Sequence, residues 1–427
     1  MSHHHKPSRS TRAVRGSAVL AATALVLTAC SGGESAKQAA PTDQPGPTVT
    51  SNAEGTPILI GNIVDLTGPV TGLFKGARQA MEAYVAKVNS EGGIDGRPLE
   101  LVTADSKIDC NATRSAYEAM APKVEAFVGS ISAIDGCAAD VLPKYPKLPA
   151  VFQQLDPTLA SIATVLTPAP RPPGQSIGAF KQIAKDHPGA VEKLGVLVNT
   201  RTAFSAKQLV AGLTKIGGKV AFTREVQIDV QTDYTADVIK MRSAGVKWLS
   251  LDGFNIETIA RILDDAKQQN WRPEVITSTP AYDGNFFSVP DPAAAEGVLI
   301  PLSTAMFLGE DRAASKGVDD YLTWLQKVHP GAKADLFGAN AWAAGMLYSQ
   351  ARAAAGGGDA TPDDVVKALI DTKEFDAAGL LAPSNPGDQK PATCWMLAEI
   401  KGGKYQRVMP ATGFTCEGAE FVPYTAG

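Results

Sequence analysis

From residue 57 the chain alternates short apolar runs with amphipathic stretches, and this alternation restricts the fold more than any other feature. Strands are expected at 57–64 (PILIGNIV), 98–104, 125–129, 149–152, 194–199, 220–228, 246–251, 273–277 and 296–302. Between them lie helical patterns at 76–90, 111–124, 175–186, 203–216, 234–244 and 255–270; in the first, Ala77, Ala80, Met81, Tyr84, Val85 and Val88 recur at helical spacing. Such alternation builds parallel sheets covered by helices. The segment PAPRPPG at 168–174 breaks the series near its middle, so two α/β lobes are expected rather than one sheet of nine strands. After 302 come three helical stretches, 312–328, 335–354 and 361–371. A hairpin, WMLAEI-KGGK-YQRVM, then turns at Gly402-Gly403.

The N-terminus reads as an address. Lys6 to Arg15 are basic, and Ser17 to Ala29 are thirteen uncharged, mostly apolar residues. That stretch is too short to span a bilayer but suits a secretory signal. It ends Leu27-Thr28-Ala29-Cys30, which resembles the bacterial lipobox, whose cysteine is lipidated and becomes the mature N-terminus. Residues 1–29 are therefore expected to be a signal peptide, and 30–56, rich in Ser, Gly, Pro and Ala, a flexible tether. Two acyl chains anchor a protein where one would not. The expected location is the extracytoplasmic face of the cell membrane.

The formal net charge of −4 becomes −8 once the four cations before Cys30 are removed, which argues against nucleic acid as a partner. Beyond the His3–His5 run only His187 and His329 remain, too few for a histidine-rich metal site. No metal and no cofactor are expected. Four cysteines are left after Cys30. In an exported protein they favour disulfides, and local pairing, Cys110 with Cys137 and Cys394 with Cys416, is the simplest of three arrangements. Zinc is the rival reading, but spacings of 27 and 22 residues without C-x-x-C fit it poorly.

Two catalytic signatures occur in part. Gly174-Gln175-Ser176-Ile177-Gly178 matches the G-x-S-x-G elbow of serine hydrolases, with His187 and His329 downstream. The elbow needs a strand before it, and PAPRPP is unsuited to a central strand. The pentapeptide is instead expected to open a helix, with Ser176 near its cap. Gly212 and Gly217 have phosphate-loop spacing, but Gly218 stands where a lysine is required.

The first unit, IGNIVDLTGPVTGLFKGARQAMEAYVAKVNSEGGIDGRPLELVTAD, combines a strand, a TGP turn, an amphipathic helix and N-x-x-GG-I-x-G-R-P-L before a strand ending in an acid. It resembles the solute-binding proteins of branched-chain amino acid ABC importers, the leucine-binding-protein type. The likeness continues through AFVGSISA, LPAVFQQLDPTL, VLVNTRTAFS, WLSLDGFNIETIARILDDAKQQNW and AAEGVLIP, to about residue 410. It implies the type I periplasmic-binding-protein fold, with two Rossmann-like lobes and parallel central sheets joined by three crossovers. Lobe 1 would take residues 57–175 and 304–374, and lobe 2 residues 176–303 and 375–427. The chain would be a monomeric receptor that closes on a small molecule and hands it to ABC permease subunits, with no catalytic residue. A ligand-sensing lipoprotein serving a signalling partner is the alternative, and an exported hydrolase a lesser one.

Carried over, the likeness implies first-lobe contacts from Asp65–Phe74, Ser130–Ala133 and Gln153–Asp156, notably Thr67, Phe74, Ser130, Ser132, Gln153, Gln154 and Asp156. Second-lobe contacts are Phe204, Asp252, Phe254 and the TSTPAY segment at 277–282, notably Thr279 and Tyr282. Two departures bear on the solute. The hydroxyl expected to bind an α-carboxylate falls near Leu155, and the acid expected to bind an α-ammonium falls near Thr279 or Pro280. A buried ammonium without a carboxylate costs several kcal/mol, so Asp156 or Asp252 would have to substitute. Phe74, Phe204, Phe254 and Tyr282 together suggest an aromatic or apolar solute with few polar anchors.

Overall fold

The computed structural model describes residues 49–425 except 69–71, 73, 228–229, 255 and 289–291. The signal peptide, Cys30 and most of the tether lie outside the described residues.

The chain runs β1 (Ile58–Val64), α1 (Lys75–Ser90), β2 (Leu99–Asp105), α2 (Cys110–Met120), β3 (Ala126–Val128), β4 (Ala150–Val151) and β5 (Val165–Leu166). These strands form one parallel sheet in the order β2-β1-β3-β4-β5. In β1 six of the seven residues are buried, as a continuous apolar run predicts for a strand covered on both faces.

The second sheet follows a short β6 (Gly174–Ser176) and α3 (Gly178–Asp186). It takes β7 (Leu194–Asn199), α4 (Ala203–Lys215), β8 (Val220–Val226), α5 (Thr235–Ser243), β9 (Trp248–Ser250), α6 (Ile256–Gln268), β10 (Glu274–Ile276) and β11 (Leu299–Leu302). The chain then returns to the first sheet with α7 (Lys316–Val328), α8 (Leu336–Ala354) and α9 (Pro362–Asp371), and ends with β12 (Met396–Lys401), β13 (Lys404–Met409) and β14 (Phe421–Pro423). Sheet order is β13-β12-β11-β10-β9-β7-β8, parallel from β11 to β8, with β12 antiparallel to both β11 and β13. Lys401 pairs with Lys404, leaving Gly402-Gly403 as the two-residue turn; both have positive φ, which this turn type demands.

α8 is buried nearly all round. Its Trp342 meets Tyr84 of α1 edge-on at 5.1 Å, and this contact fastens the returning helices to the first sheet. The chain therefore passes between the two sheets three times. The passages brace one another: Ser384 Oγ donates to the Pro168 carbonyl at 2.9 Å, Ala382 N to the Ser303 carbonyl at 2.8 Å, and Thr304 bridges Leu381.

The cysteines pair locally, Cys110 with Cys137 and Cys394 with Cys416, at Cα separations of 5.4 and 4.2 Å. The second pair pins the tail beyond the hairpin to Cys394, two residues before β12.

Three local expectations need correction. The helix expected at 175–186 begins only at Gly178, because Gly174–Ser176 is extended and pairs antiparallel with β14. Proline at 172 and 173 favours extended backbone in the residue preceding each. Ser176 caps nothing: its hydroxyl donates to the Ala392 carbonyl at 2.8 Å. Finally, the end of the supposed tether is held, since Asn52 N donates to the Asn89 carbonyl and Gly55 N to the Gly96 carbonyl, both at 2.9 Å.

Candidate functional site

In open α/β sheets ligands bind outside the carboxyl ends of the strands, and here those ends belong to both sheets. On the first, Asp65 follows β1 and is fully buried. Its carboxylate accepts from the hydroxyls of Ser106 and Ser132, the latter at 2.9 Å, and from the backbone N–H of Ile108 (3.2 Å) and Ala133 (2.7 Å). One side chain thus ties together the loops after β1, β2 and β3.

Asp105, at the end of β2, accepts from the backbone of Leu66, Thr67 and Lys107 and from the Thr67 hydroxyl. Burial opposes its ionisation, but these bonds outweigh burial and hold its carboxyl below the usual range. The approach is close enough that a Cβ at Gly68, whose φ is +113°, would collide with the Lys107 carbonyl.

Asp135 opens the turn after β3 and accepts from Leu155 N (2.7 Å) and Asp156 N (2.9 Å), joining that turn to the loop after β4. Burial pushes its pKa up to about 6, helped by the Asp156 charge and opposed by the backbone bonds. The Cys110–Cys137 disulfide fastens the same turn to the start of α2.

Several expected contacts are therefore part of this frame. The Ser130 hydroxyl accepts from Ile63 N at 3.0 Å and bonds Tyr117. Ser132 and Thr67 are bound to Asp65 and Asp105. Asp156 caps the following turn through Thr158, with N–H and hydroxyl at 2.8 and 2.6 Å. Gln154 donates to the Val165 carbonyl at 3.3 Å. Gln153 differs: its Nε2 donates to the Gln154 carbonyl, while its Oε1, on a residue 4% exposed, has no partner among the described residues.

On the second sheet Asn199 Nδ2 donates to the Gly253 carbonyl at 2.8 Å, linking the turns after β7 and β9. Asp252 follows β9 and Thr277 follows β10. Burial raises the Asp252 pKa; a bond with Ser278 and the charge of Arg171 oppose the rise. The Thr277 hydroxyl, on a residue 3% exposed, has no partner among the described residues. Thr279 is buried in the turn before Tyr282.

The aromatic residues are not gathered into one lining. Phe74 packs edge-on against Phe337 at 4.6 Å, and Phe254, 3% exposed, belongs to the continuous core. Tyr282 is locked by Phe307, Tyr405 and a hydroxyl bond to Glu310. Phe204 is 45% exposed and meets Tyr424 near the C-terminus at 5.6 Å. Phenylalanine looks the same in sequence whether it faces core or cleft. The structure adds Asp135 and Arg171, which the sequence pattern does not single out; Asp105 is the acid that ends the LELVTAD strand, and Ser278 lies within the expected TSTPAY segment. For Arg171 a signal existed: it is the one cation within PAPRPPG.

The hydrolase signature is not assembled. Ser176 is bonded to Ala392, His187 Nδ1 faces Glu274 at 3.1 Å and His329 Nε2 faces Glu82 at 2.7 Å. Two concavities lie apart from the strand ends. One, of about 620 Å³, is bordered by Tyr84, Lys87, Trp342 and Phe375. A smaller one lies between Trp271 and Val298, where β10 and β11 begin.

A family model described as periplasmic binding protein matches residues 57–404. No curated protein sequence matches the chain. Solved structures match its fold. A leucine-binding protein from Thermotoga maritima is 18% identical over 82% of this chain and 98% of its own, with TM-score 0.64. A branched-chain amino acid transporter substrate-binding protein from Streptococcus pneumoniae, in complex with isoleucine, is 18% identical over 83% and 100%, with TM-score 0.62. A fatty acid ABC transporter substrate-binding protein from Thermomonospora curvata is 19% identical over 87% and 94%, with TM-score 0.64.

Proposed function

Because the chain belongs to the periplasmic binding protein family, whose model spans residues 57–404, we propose that it is a lipid-anchored receptor that captures a small solute by lobe closure and delivers it to an ABC importer. The observation that carries this reading is the placement of two sets of strand ends, with uncommitted polar atoms on both, about three mutually bonded crossovers. Such a frame hinges where the crossovers pass. Closure follows only if the solute binds the closed state better than the open one.

The family is extracytoplasmic, and its structural neighbours bind solutes without transforming them. Among the described residues no helix is long and apolar enough to cross a membrane. The anchor we assign is a lipid on Cys30, supported by the Leu27-Thr28-Ala29-Cys30 sequence. We take lobe 1 as residues 57–175 with 304–374 and lobe 2 as 176–303 with 375–427. A relative solved in complex with isoleucine and another described as a fatty acid ABC transporter substrate-binding protein both support a solute with an apolar body. The aromatic lining no longer argues for an aromatic one.

The test is mass spectrometry of small molecules released from the native lipoprotein, with thermal shift against amino acids, fatty acids, short amides and aromatic acids. A ligand that binds only the native state raises the melting temperature by mass action. A stoichiometric small molecule that also stabilises the emptied protein supports the receptor reading; neither a co-purified molecule nor a shift would remove it. Cys30→Ala should release the protein from membranes, and continued membrane retention would remove the lipid anchor.

A further inference from the structure

Resting on the receptor reading, we propose that the hydrogen bond from Lys333 to Asn285 is a clasp between the lobes, and that its strength sets how far the empty receptor leans toward closure.

The two residues belong to different lobes. Lys333 sits in the turn between α7 and α8, helices that pack against α1 on the first sheet. Asn285 sits in the segment that joins β10 to β11 of the second sheet. Lys333 Nζ donates to Asn285 Oδ1 at 2.8 Å. Both residues lie on the side of the strands' carboxyl ends, where α/β sheets bind their ligands. Asn285 follows the carboxyl end of β10. The Lys333 turn leads into α8, where the Asp335 carboxylate lies so close to Gly76, at the start of α1, that a Cβ there would collide with it.

Each end is fixed to its own lobe. In the Lys333 turn Ala332 N donates to the His329 carbonyl and Gly331 N to Gln326 Oε1, both at 3.0 Å. Asp335 caps α8 by accepting from Gly338 N at 2.6 Å, and His329 faces Glu82 of α1. On the other side Asn285 N donates to the Asp283 carboxylate at 2.7 Å, and Asp283 N to the Tyr405 hydroxyl of β13 at 3.1 Å. That hydroxyl donates to the Ala281 carbonyl at 2.7 Å. When the lobes turn about the crossovers, each mount moves with its own sheet, so the flexible Lys333 side chain takes up the first part of the movement. Beyond its reach the bond is lost, since a separation of about 3.6 Å is no longer a hydrogen bond.

The same two turns face each other at a second pair of residues. Burial pushes the pKa of Asp335 up to about 6; the Gly338 N–H opposes the rise and the charge of Asp283 adds to it. Carboxylates facing across the seam repel, and the Lys333 ammonium supplies attraction beside them. Its partner is a neutral amide, and both residues are exposed, so the bond is weak. Weakness suits an element that must open for each solute. A buried ion pair would hold the empty lobes shut, and no contact at all would leave closure wholly to the solute. Apparent affinity scales with the fraction of protein already competent to bind, so the clasp acts on affinity without touching the solute.

The experiment is electron double resonance on the full lipoprotein, emptied of solute and labelled at Lys123 and Lys240. Four forms are compared: unsubstituted, Lys333→Met, Asn285→Asp and the two together. Lys333→Met keeps the side chain's length and removes its donor, so the ratio of shorter to longer distances should fall at least threefold. Asn285→Asp turns the amide into a carboxylate and should raise that ratio at least threefold. With both substitutions the gain should vanish, because the new carboxylate has no cation to meet. The melting temperature should stay within about three degrees in every form, because both residues are exposed.

A broad distribution that neither substitution alters would overturn the clasp and leave the receptor reading standing. A gain in the double variant equal to that of Asn285→Asp alone would also overturn it, because the carboxylate would then be acting through another group. One narrow distance shared by all four forms would overturn both the clasp and the closure on which it rests.

Discussion

The two faces of the cleft are built differently. On the first lobe Asp65, Asp105 and Asp135 tie four loops together through backbone N–H groups, and a disulfide fastens the turn that carries Asp135. On the second, Asn199 joins two turns, but Thr277 is left without a partner and Asp252 is disfavoured as a charge. Buried acceptors bonded to backbone donors make a rigid wall, and uncommitted polar atoms make one that a solute completes. On the receptor reading proposed above, preorganisation falls to the first lobe, apart from Gln153, whose Oε1 is also without a partner among the described residues, and selection to the second lobe and the crossovers.

Breaking the first wall should have the largest effect. Asp65→Ala leaves two hydroxyls and two N–H groups without their acceptor in a buried site, and should cost about 4 kcal/mol of unfolding free energy in urea titration. A loss under about 1 kcal/mol would mean the wall is not held this way.

The aromatic residues come next. Phe254→Ala should cost about 3 kcal/mol by opening the core, and Phe204→Ala less than about 1 kcal/mol, because that ring is already half in solvent. Equal costs would contradict these placements.

Asp135 adds a pH dependence of similar or smaller size. Its folded pKa, about 6, lies above the ordinary 3.8, so its contribution to stability is complete below about pH 3.8 and is lost as pH rises through 6. Relative to Asp135→Asn, the wild type should lose up to about 3 kcal/mol between pH 4 and 7. Parallel pH profiles for the two proteins would remove Asp135 from that role.

The smallest effect belongs to the second wall. Asp252→Asn should alter stability by less than about 1 kcal/mol, since the carboxylate there is already opposed by burial. A loss as large as that of Asp65→Ala would erase the contrast between the walls.

The frame of the molecule was legible because long-range order leaves local traces. A continuous apolar run marked β1, period 3.6 marked α1, Gly402-Gly403 marked the terminal hairpin, and a proline-rich break marked the first crossover. The strands β5, β6 and β14, two or three residues each, are too short to carry a period. The polar wall was harder to read. Asp135 acts on backbone N–H groups twenty and twenty-one residues away, and no residue pattern encodes that reach. Phe254 and Tyr282 suggested a lining because their composition suits one, whereas tertiary packing directs them inward. Arg171 served only as part of a break, although a cation fixed between prolines already had an unusual mount.

The central claim is capture by closure, and the most direct test is the distance between spin labels at Lys123 on the first lobe and Lys240 on the second. It is measured by electron double resonance on the emptied lipoprotein, with and without the solute that stabilises it. The account predicts a broad distribution that shifts to a shorter, narrower one at solute saturation. Stabilisation with an unchanged distance distribution would contradict it.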